Sequence, residues 1–188
     1  TSMVACGDAD GAVTGNTRRF GASLDKIKQV VDVRDGEIMF GLNMVVYKGK
    51  TIFVGDTSVH EYPTSEQMAE MAISTARVVR LFGFDPKVAF VSHSTFGQPL
   101  TSRTKHIRKA VDILKEKKVD FEFDGDMQPD VALNPEYEEL YPFSKIVGKA
   151  NILIMPGQHS AAISYKMMKT LGDTKVIGPL LIGLGLPI

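Results

Sequence analysis

From Thr64 to Gly183 short apolar runs alternate with amphipathic helical runs, and that alternation confines the chain to one class of architecture. "KVAFVS" (87–92), "VDFEFDG" (119–125), "ANILIMPG" (150–157) and "TKVIGPLLIG" (174–183) are short, apolar and β-rich, and read as strands. Between the strands lie helices. Thr64 and Gln67 form a capping box after Pro63, Met68, Met71, Ala72, Ala76 and Val79 recur on one face, and Gly83 ends the run. Ile107, Ala110, Val111 and Leu114 mark a second helix, and "SAAISYKMMKTLG" a third that stops at Gly172. Strands and helices in alternation make a parallel sheet covered by helices. Residues 36–55 add a hairpin joined at Lys48-Gly49-Lys50, where glycine supplies the positive φ of a tight turn. The expected fold is a three-layer α/β/α sandwich: a mainly parallel sheet plus an antiparallel hairpin.

At 188 residues the chain can bury one good core, or two lobes. Its formal net charge of zero gives no electrostatic reason to expect nucleic acid or an anionic membrane as partner. Cys6 is the only cysteine, so neither an intrachain disulfide nor a cysteine zinc cage is available, and a reducing cytoplasm is the expected setting. No apolar run approaches the ~20 residues of a membrane span. "TSMVAC" reads as the tail of a buried strand and "VIGPLLIGLGLPI" as ending just after another, so a piece of a longer chain is expected.

Ligands of open α/β sheets gather beyond the carboxyl ends of the strands. The loops to weigh are therefore Ser92–Pro99, Asp124–Asp130, Pro156–Ser160 and Gly178–Pro179. Ser92, Ser94 and Thr95 precede a helix, and Gly97 lets backbone approach a ligand closely, which makes an anion site available. A plain turn with helix caps fits the same residues. The segment is not a P-loop, because its glycine–lysine–hydroxyl pattern is missing. His93 between two serines invites a hydrolase reading, but there is no Gly-x-Ser-x-Gly elbow, and neighbours on a strand point to opposite faces. No catalytic residue is assigned.

His60, His93, His106 and His159 are scattered, and "FDGDMQPD" keeps calcium-loop spacing for only two or three oxygens, so no metal site is assigned. Asp124 and Asp126 are expected to cap a turn or meet ligand hydroxyls. "GDADGAVTGNTRRF" lacks the dinucleotide spacing; its Arg18 and Arg19 either hold a phosphate or stand solvated.

Together "GDADGAVTGNTR", "FVGDTSVHEYPTSEQMAEMA", "KVAFVSHSTFG", "DGDMQPDVALN", "GKANILIMPGQHSAAISYK" and "VIGPLLIGL" resemble, in order, the blocks of the phosphate acetyltransferase/butyryltransferase family. The resemblance covers nearly the whole chain. It implies an isocitrate/isopropylmalate dehydrogenase-like fold of two α/β lobes, with coenzyme A and acetyl phosphate meeting between them. Residues 1–35 would end the first lobe, 36–175 form the second, and 176–188 return to the first.

The chain departs from that family's phosphate site. Gap-free counting puts Asp25 where the family carries an arginine, and the family's Ser-Thr-Lys-Gly becomes Ser94-Thr95-Phe96-Gly97. Phosphate beside Asp25 would be repelled. These departures, with Thr17-Arg18 and the "MPGQHSAAIS" and "GPLLIGL" blocks, resemble the phosphotransacetylase-like C-terminal domain of bacterial NADP-dependent malic enzymes. That resemblance implies an acetyl-CoA-binding regulatory domain that helps form a homo-oligomer. The NADP and divalent metal that oxidise malate to pyruvate would sit in another part of the parent chain. The acetyl-CoA-binding residues so implied are Thr17, Arg18, Ser92, Ser94, Thr95, Gly97, Asp124, Gln128, Gly178 and Pro179. Two alternatives stay open: an active phosphate acetyltransferase, and an oligomerisation module with a vestigial cleft.

Overall fold

The computed structural model describes residues 1–15 and 17–188. Its core begins with the hairpin. Strands β1 (Phe40–Tyr47) and β2 (Lys50–Gly55) pair antiparallel with Tyr47 opposite Lys50, so the connection is only Lys48-Gly49. Both turn residues have positive φ, 45° and 78°, the combination that matches the twist of the flanking strands.

Helix α3 (Ser65–Leu81) starts at the expected capping box: Thr64 Oγ1 accepts from Gln67 N at 3.1 Å, and Gln67 Oε1 accepts from Thr64 N at 2.8 Å. Strand β3 (Lys87–Val91) leads to α4 (Ser102–Lys117), which opens with a second box between Thr101 and Thr104. Strand β4 (Glu122–Met127) precedes the short α5 (Pro129–Leu133) and a 3-10 turn, Pro135–Leu140. Strand β5 (Ile152–Ile154), helix α6 (Gln158–Leu171) and strand β6 (Thr174–Ile182) complete the sheet.

The sheet order is β4-β3-β5-β2-β1-β6. β2, β5, β3 and β4 are mutually parallel; β1 runs against both of its neighbours. Alternation along the strands sends residues to two cores. Val88, Phe90, Ile152 and Ile154 join Met68, Met71, Ile107 and Leu114 under α3 and α4. Ala89, Val91, Leu153 and Met155 join Val131, Ala132 and Ala161 on the opposite face, under α5 and α6. The three-layer α/β/α arrangement expected from the sequence is what forms. A smaller cluster joins α2 (Phe20–Lys28), through Leu24 and Ile27, to Met39 and to Leu184 in the tail after β6.

Three expectations need correction. "TSMVAC" is not a strand tail: Ser2–Ala5 closes into a helical turn, α1, where Ala5 N donates to Thr1 O at 3.1 Å. The acidic stretch Asp124–Asp126 is not a turn but the body of β4, whose ladder continues to Val91 opposite Met127. Carboxylates can sit inside the sheet there because each finds donors: Asp124 from Gly125 N, and Asp126 from the loop above it. Gly178–Pro179 does not follow a strand either. It lies within β6, an edge strand, where the N–H that proline lacks is not needed by a second neighbour.

One exposed contact ties α3 to α4. The Lys109 ammonium, bonded to Glu66 at 2.6 Å, holds the Glu66 carboxyl well below its ordinary 4.5, at about 2. A depressed carboxyl contributes stability above its unfolded value and loses it as pH falls through the folded one. The Glu66 titration followed by NMR is therefore expected to centre near 2 and to move back toward 4.5 in Lys109→Ala. A wild-type midpoint near 4.5 would show that the pair does not persist in solution.

Candidate functional site: a crevice at the switch point of the sheet

Neighbouring strands β3 and β5 send the chain in opposite directions. β3 continues through α4 to β4 on one side, and β5 through α6 to β6 on the other. The two helices lie on opposite faces, so the exits of β3 and β5 part and leave a crevice, the usual ligand position in open α/β sheets. A cavity of about 470 Å³ occupies it. Its floor is apolar, with Val91, Ile107 and Met155. Its polar groups are Ser92 and His93 after β3, Arg103 on α4, and His159, Ser160 and Ser164 on α6.

A third wall comes from the β2–α3 loop, through Glu61 and Tyr62. A Cβ at Gly157 would collide with the Glu61 carbonyl, so glycine is what lets this loop close on α6. Across the mouth, His159 Nε2 and Glu61 Oε1 meet at 3.1 Å, and the Arg103 guanidinium lies 5.1 Å from the Tyr62 ring centroid.

Two buried carboxylates hold the loops that shape this edge. Asp56, just past β2, accepts from Gly41 N at 2.9 Å, Ser58 N at 2.8 Å, Val59 N at 3.1 Å and His60 N at 2.7 Å, and faces His60 Nδ1 at 2.8 Å. Asp126, at the end of β4, accepts from the Ser94 hydroxyl and from Gly97 N at 3.0 Å, with Arg108 3.9 Å away. Both are fully buried. Above Asp126 the chain makes a tight turn in which Thr95 and Gln98 exchange both backbone bonds, with Phe96 and Gly97 at φ 49° and 81°. A left-handed Phe costs roughly 1–2 kcal/mol. The Phe96 ring offsets part of this by packing against Tyr141 at 5.4 Å and Phe143 at 4.8 Å.

The structure scatters the sequence-derived site residues. Ser92 lines the cavity, but its Oγ also accepts from Ser94 N at 3.3 Å. Ser94 is fully buried beneath the loop, its hydroxyl taken up by Asp126, so it shapes the turn instead of facing a ligand. Thr95 and Gln128 line a second cavity beyond the turn, and Gly97 packs on the Arg108 guanidinium. Asp124 is inside β4. Gly178 and Pro179 sit in β6, three strands from β5, and Thr17 and Arg18 are exposed on the approach to α2; none of the four lines either cavity. Asp25, on α2, also lines neither, so the expected repulsion of phosphate by Asp25 has no support in this geometry.

Of the residues lining the first cavity only Ser92 belongs to the sequence-derived set, and the polar Glu61, Tyr62, Arg103 and Ser164 lie outside even the loops weighed in the sequence. Arg103 and Ser164 have no local signal. The β2–α3 loop has one: β2 is parallel to β5, so its exit opens on the same edge, but the hairpin that contains β2 masks this in the sequence. Among the described residues no group of three or more His, Cys, Asp or Glu could hold a metal ion, and no helix is long and apolar enough to cross a membrane.

Comparison with known proteins bears on the whole chain. The family profile described as "Phosphate acetyl/butaryl transferase" matches residues 1–188. The NADP-dependent malic enzyme of Rhizobium meliloti is 47% identical over 97% of this chain, which spans 24% of that protein. The phosphate acetyltransferase of Bacillus subtilis is 32% identical over all of this chain, which spans 59% of that protein. The chain thus spans about a quarter of the malic enzymes it matches. Among solved structures, a phosphotransacetylase from Streptococcus pyogenes superposes with TM-score 0.91 at 30% identity, over 98% of this chain and 57% of that one. The EutD phosphotransacetylase of Staphylococcus aureus gives 0.86 at 29%, over 98% and 58%. Profile, relatives and superpositions agree, and the chain belongs to the phosphate acetyl/butyryl transferase family, as the domain type shared by phosphate acetyltransferases and malic enzymes.

Proposed function

We propose that this chain is the acyl-CoA-binding regulatory domain of an NADP-dependent malic enzyme, with acetyl-CoA as effector and the crevice beside Ser92 and His93 as its site. The observation that carries the reading is Phe96. At the position where the family's Ser-Thr-Lys-Gly loop has a cation, this chain has a ring that packs into Tyr141 and Phe143. The loop itself is left with hydroxyls and amides, which suit a thioester, and the cation beside it, the Arg108 guanidinium, already faces the buried Asp126 carboxylate. The Ser94 hydroxyl, engaged by the buried Asp126 carboxylate, is not presented as a nucleophile. Identity to malic enzymes along nearly the whole chain points the same way.

In this reading the oxidative decarboxylation of malate, with its NADP and divalent metal, belongs to another part of the parent protein. Acetyl-CoA alters it by preferring one conformation of a cytoplasmic homo-oligomer. Such couplings are typically about 1–3 kcal/mol, or roughly 5- to 150-fold in affinity. Titrating acetyl-CoA into the full-length protein while following malate oxidation is expected to change the rate along a saturable curve. Measurable binding with no change in rate would reject regulation.

One observation favours a second reading, phosphate acetyltransfer. Arg103 places a cation in the crevice, where it could meet acetyl phosphate as well as a phosphate of coenzyme A. Formation of acetyl-CoA from acetyl phosphate and CoA by the full-length protein would decide for it.

A further inference from the structure

The second cavity, about 480 Å³, lies across the Thr95–Gln98 turn from the first. Its apolar wall is aromatic. Phe143 packs edge-on against Phe96, yet remains 68% exposed, with Leu140 beside it 67% exposed. Large apolar side chains held in a concave site and left open to water are suited to a flat ligand.

The polar rim has unspent capacity on both sides of the hydrogen bond. Gln128 Nε2 donates to His93 O at 3.2 Å, and among the described residues its Oε1 has no partner. Thr95 Oγ1 accepts from Gln128 N at 3.3 Å, so its own O–H is free to donate. Asp130 takes one bond, from the Tyr137 hydroxyl at 3.2 Å, and keeps further lone pairs; that bond and the carboxylate charge push the Tyr137 phenol above its ordinary 10.0. No lysine or arginine lines this cavity. A carboxylate without a cation repels phosphate but accepts from N–H groups.

This lining suits a neutral planar ring carrying an exocyclic N–H2 donor and ring-nitrogen acceptors, which is the description of an aminopurine. The first cavity is complementary, since it holds Arg103. Consecutive residues line the two cavities, Gln128 the second and Pro129 the first. A ligand with an anionic middle and a neutral base at one end matches this pairing.

We infer that the Phe96–Tyr141–Phe143 cavity docks the adenine ring of the acyl-CoA, stacked on the open face of Phe143 with its amino edge toward Gln128 and Asp130. This rests on the acyl-CoA reading above. The same surface could instead be covered by a protein segment. The unspent donor–acceptor edge and the absence of cations favour a base, and the test separates the two.

The experiment is a cycle on the full-length protein, pairing Phe143→Ala and Phe143→Trp with acetyl-CoA and with S-acetylpantetheine, which lacks the adenosine. Stacking of a base on an aromatic ring is worth roughly 5- to 150-fold in affinity. Phe143→Ala is expected to weaken acetyl-CoA by that factor and leave S-acetylpantetheine unchanged, while Phe143→Trp retains acetyl-CoA; unfolding midpoints confirm that both variants fold. Equal losses for both ligands, or none for either, would overturn the adenine site while the acyl-CoA reading stands. So would a change in oligomer mass with acetyl-CoA affinity intact, which would assign the patch to a protein neighbour. If wild type binds no acetyl-CoA, the functional reading fails first, and adenosine is then titrated alone: NMR shifts at Phe143 keep a nucleoside site, and their absence removes it.

Discussion

Asp56→Ala is expected to lower stability by roughly 3–5 kcal/mol, since a stranded buried donor costs about 1–3 kcal/mol and four backbone amides lose their acceptor together. The carboxylate is fully buried and holds Gly41 of β1 and residues 58–60 of the β2–α3 loop in one grip. Some donors would recover water, because Ser58, Val59 and His60 are only half-buried, whereas Gly41 N is buried and has little access to it. Urea unfolding is the measurement, with the midpoint falling and the slope unchanged. A loss below about 1 kcal/mol would mean that the loop holds itself without the carboxylate. Because Glu61 and Tyr62 follow directly, surviving folded protein should also bind ligand more weakly in the crevice.

On the proposed acyl-CoA reading, Asp126→Ala is expected to act on stability and binding together, at about 2–4 kcal/mol and roughly tenfold or more in acetyl-CoA affinity. The Ser94 hydroxyl and the Gly97 amide lose a common acceptor, and Arg108 loses a neighbouring charge. The tight turn above loses its tether, and with it the placement of Phe96 and Thr95 at the second cavity. Asp126→Asn separates the causes. Its oxygen can still accept from Gly97 N, the bond to Ser94 survives with its direction reversed, the amide donating, and the charge disappears. The milder Asn variant should therefore keep most of the affinity, with hydrogen exchange at Gly97 slow in wild type and Asn and fast in Ala. Equal damage from both would assign the effect to the charge beside Arg108 and not to the hydrogen bonds.

The legible part of the sequence is the part written in local chemistry. The Thr64–Gln67 box, the stripe from Met68 to Val79, the glycine of the Lys48-Gly49 turn and the end of α6 at Gly172 are each decided by a few adjacent residues. Strand–helix alternation adds the layer architecture, because a parallel sheet with crossover helices has few other solutions. Legibility ends where the environment outweighs composition. Asp124 and Asp126 look like turn residues, but the ladder to β3 carries them into the sheet. Gly178–Pro179 looks like a break, but an edge strand accommodates it. Asp25 falls in register with a family position by residue counting, yet lines neither cavity.

By itself the order of residues determined the class of fold, the start of α3, the ends of α3 and α6, and the family resemblance. All of these depend on spacing along the chain. Only the tertiary structure decided which strands part to open the crevice, that Arg103, Tyr62 and Ser164 meet there, and that Phe96 turns away from it toward Phe143. Those outcomes depend on strand order and on contacts between segments 40 or more residues apart, for which no short stretch of sequence carries a signal.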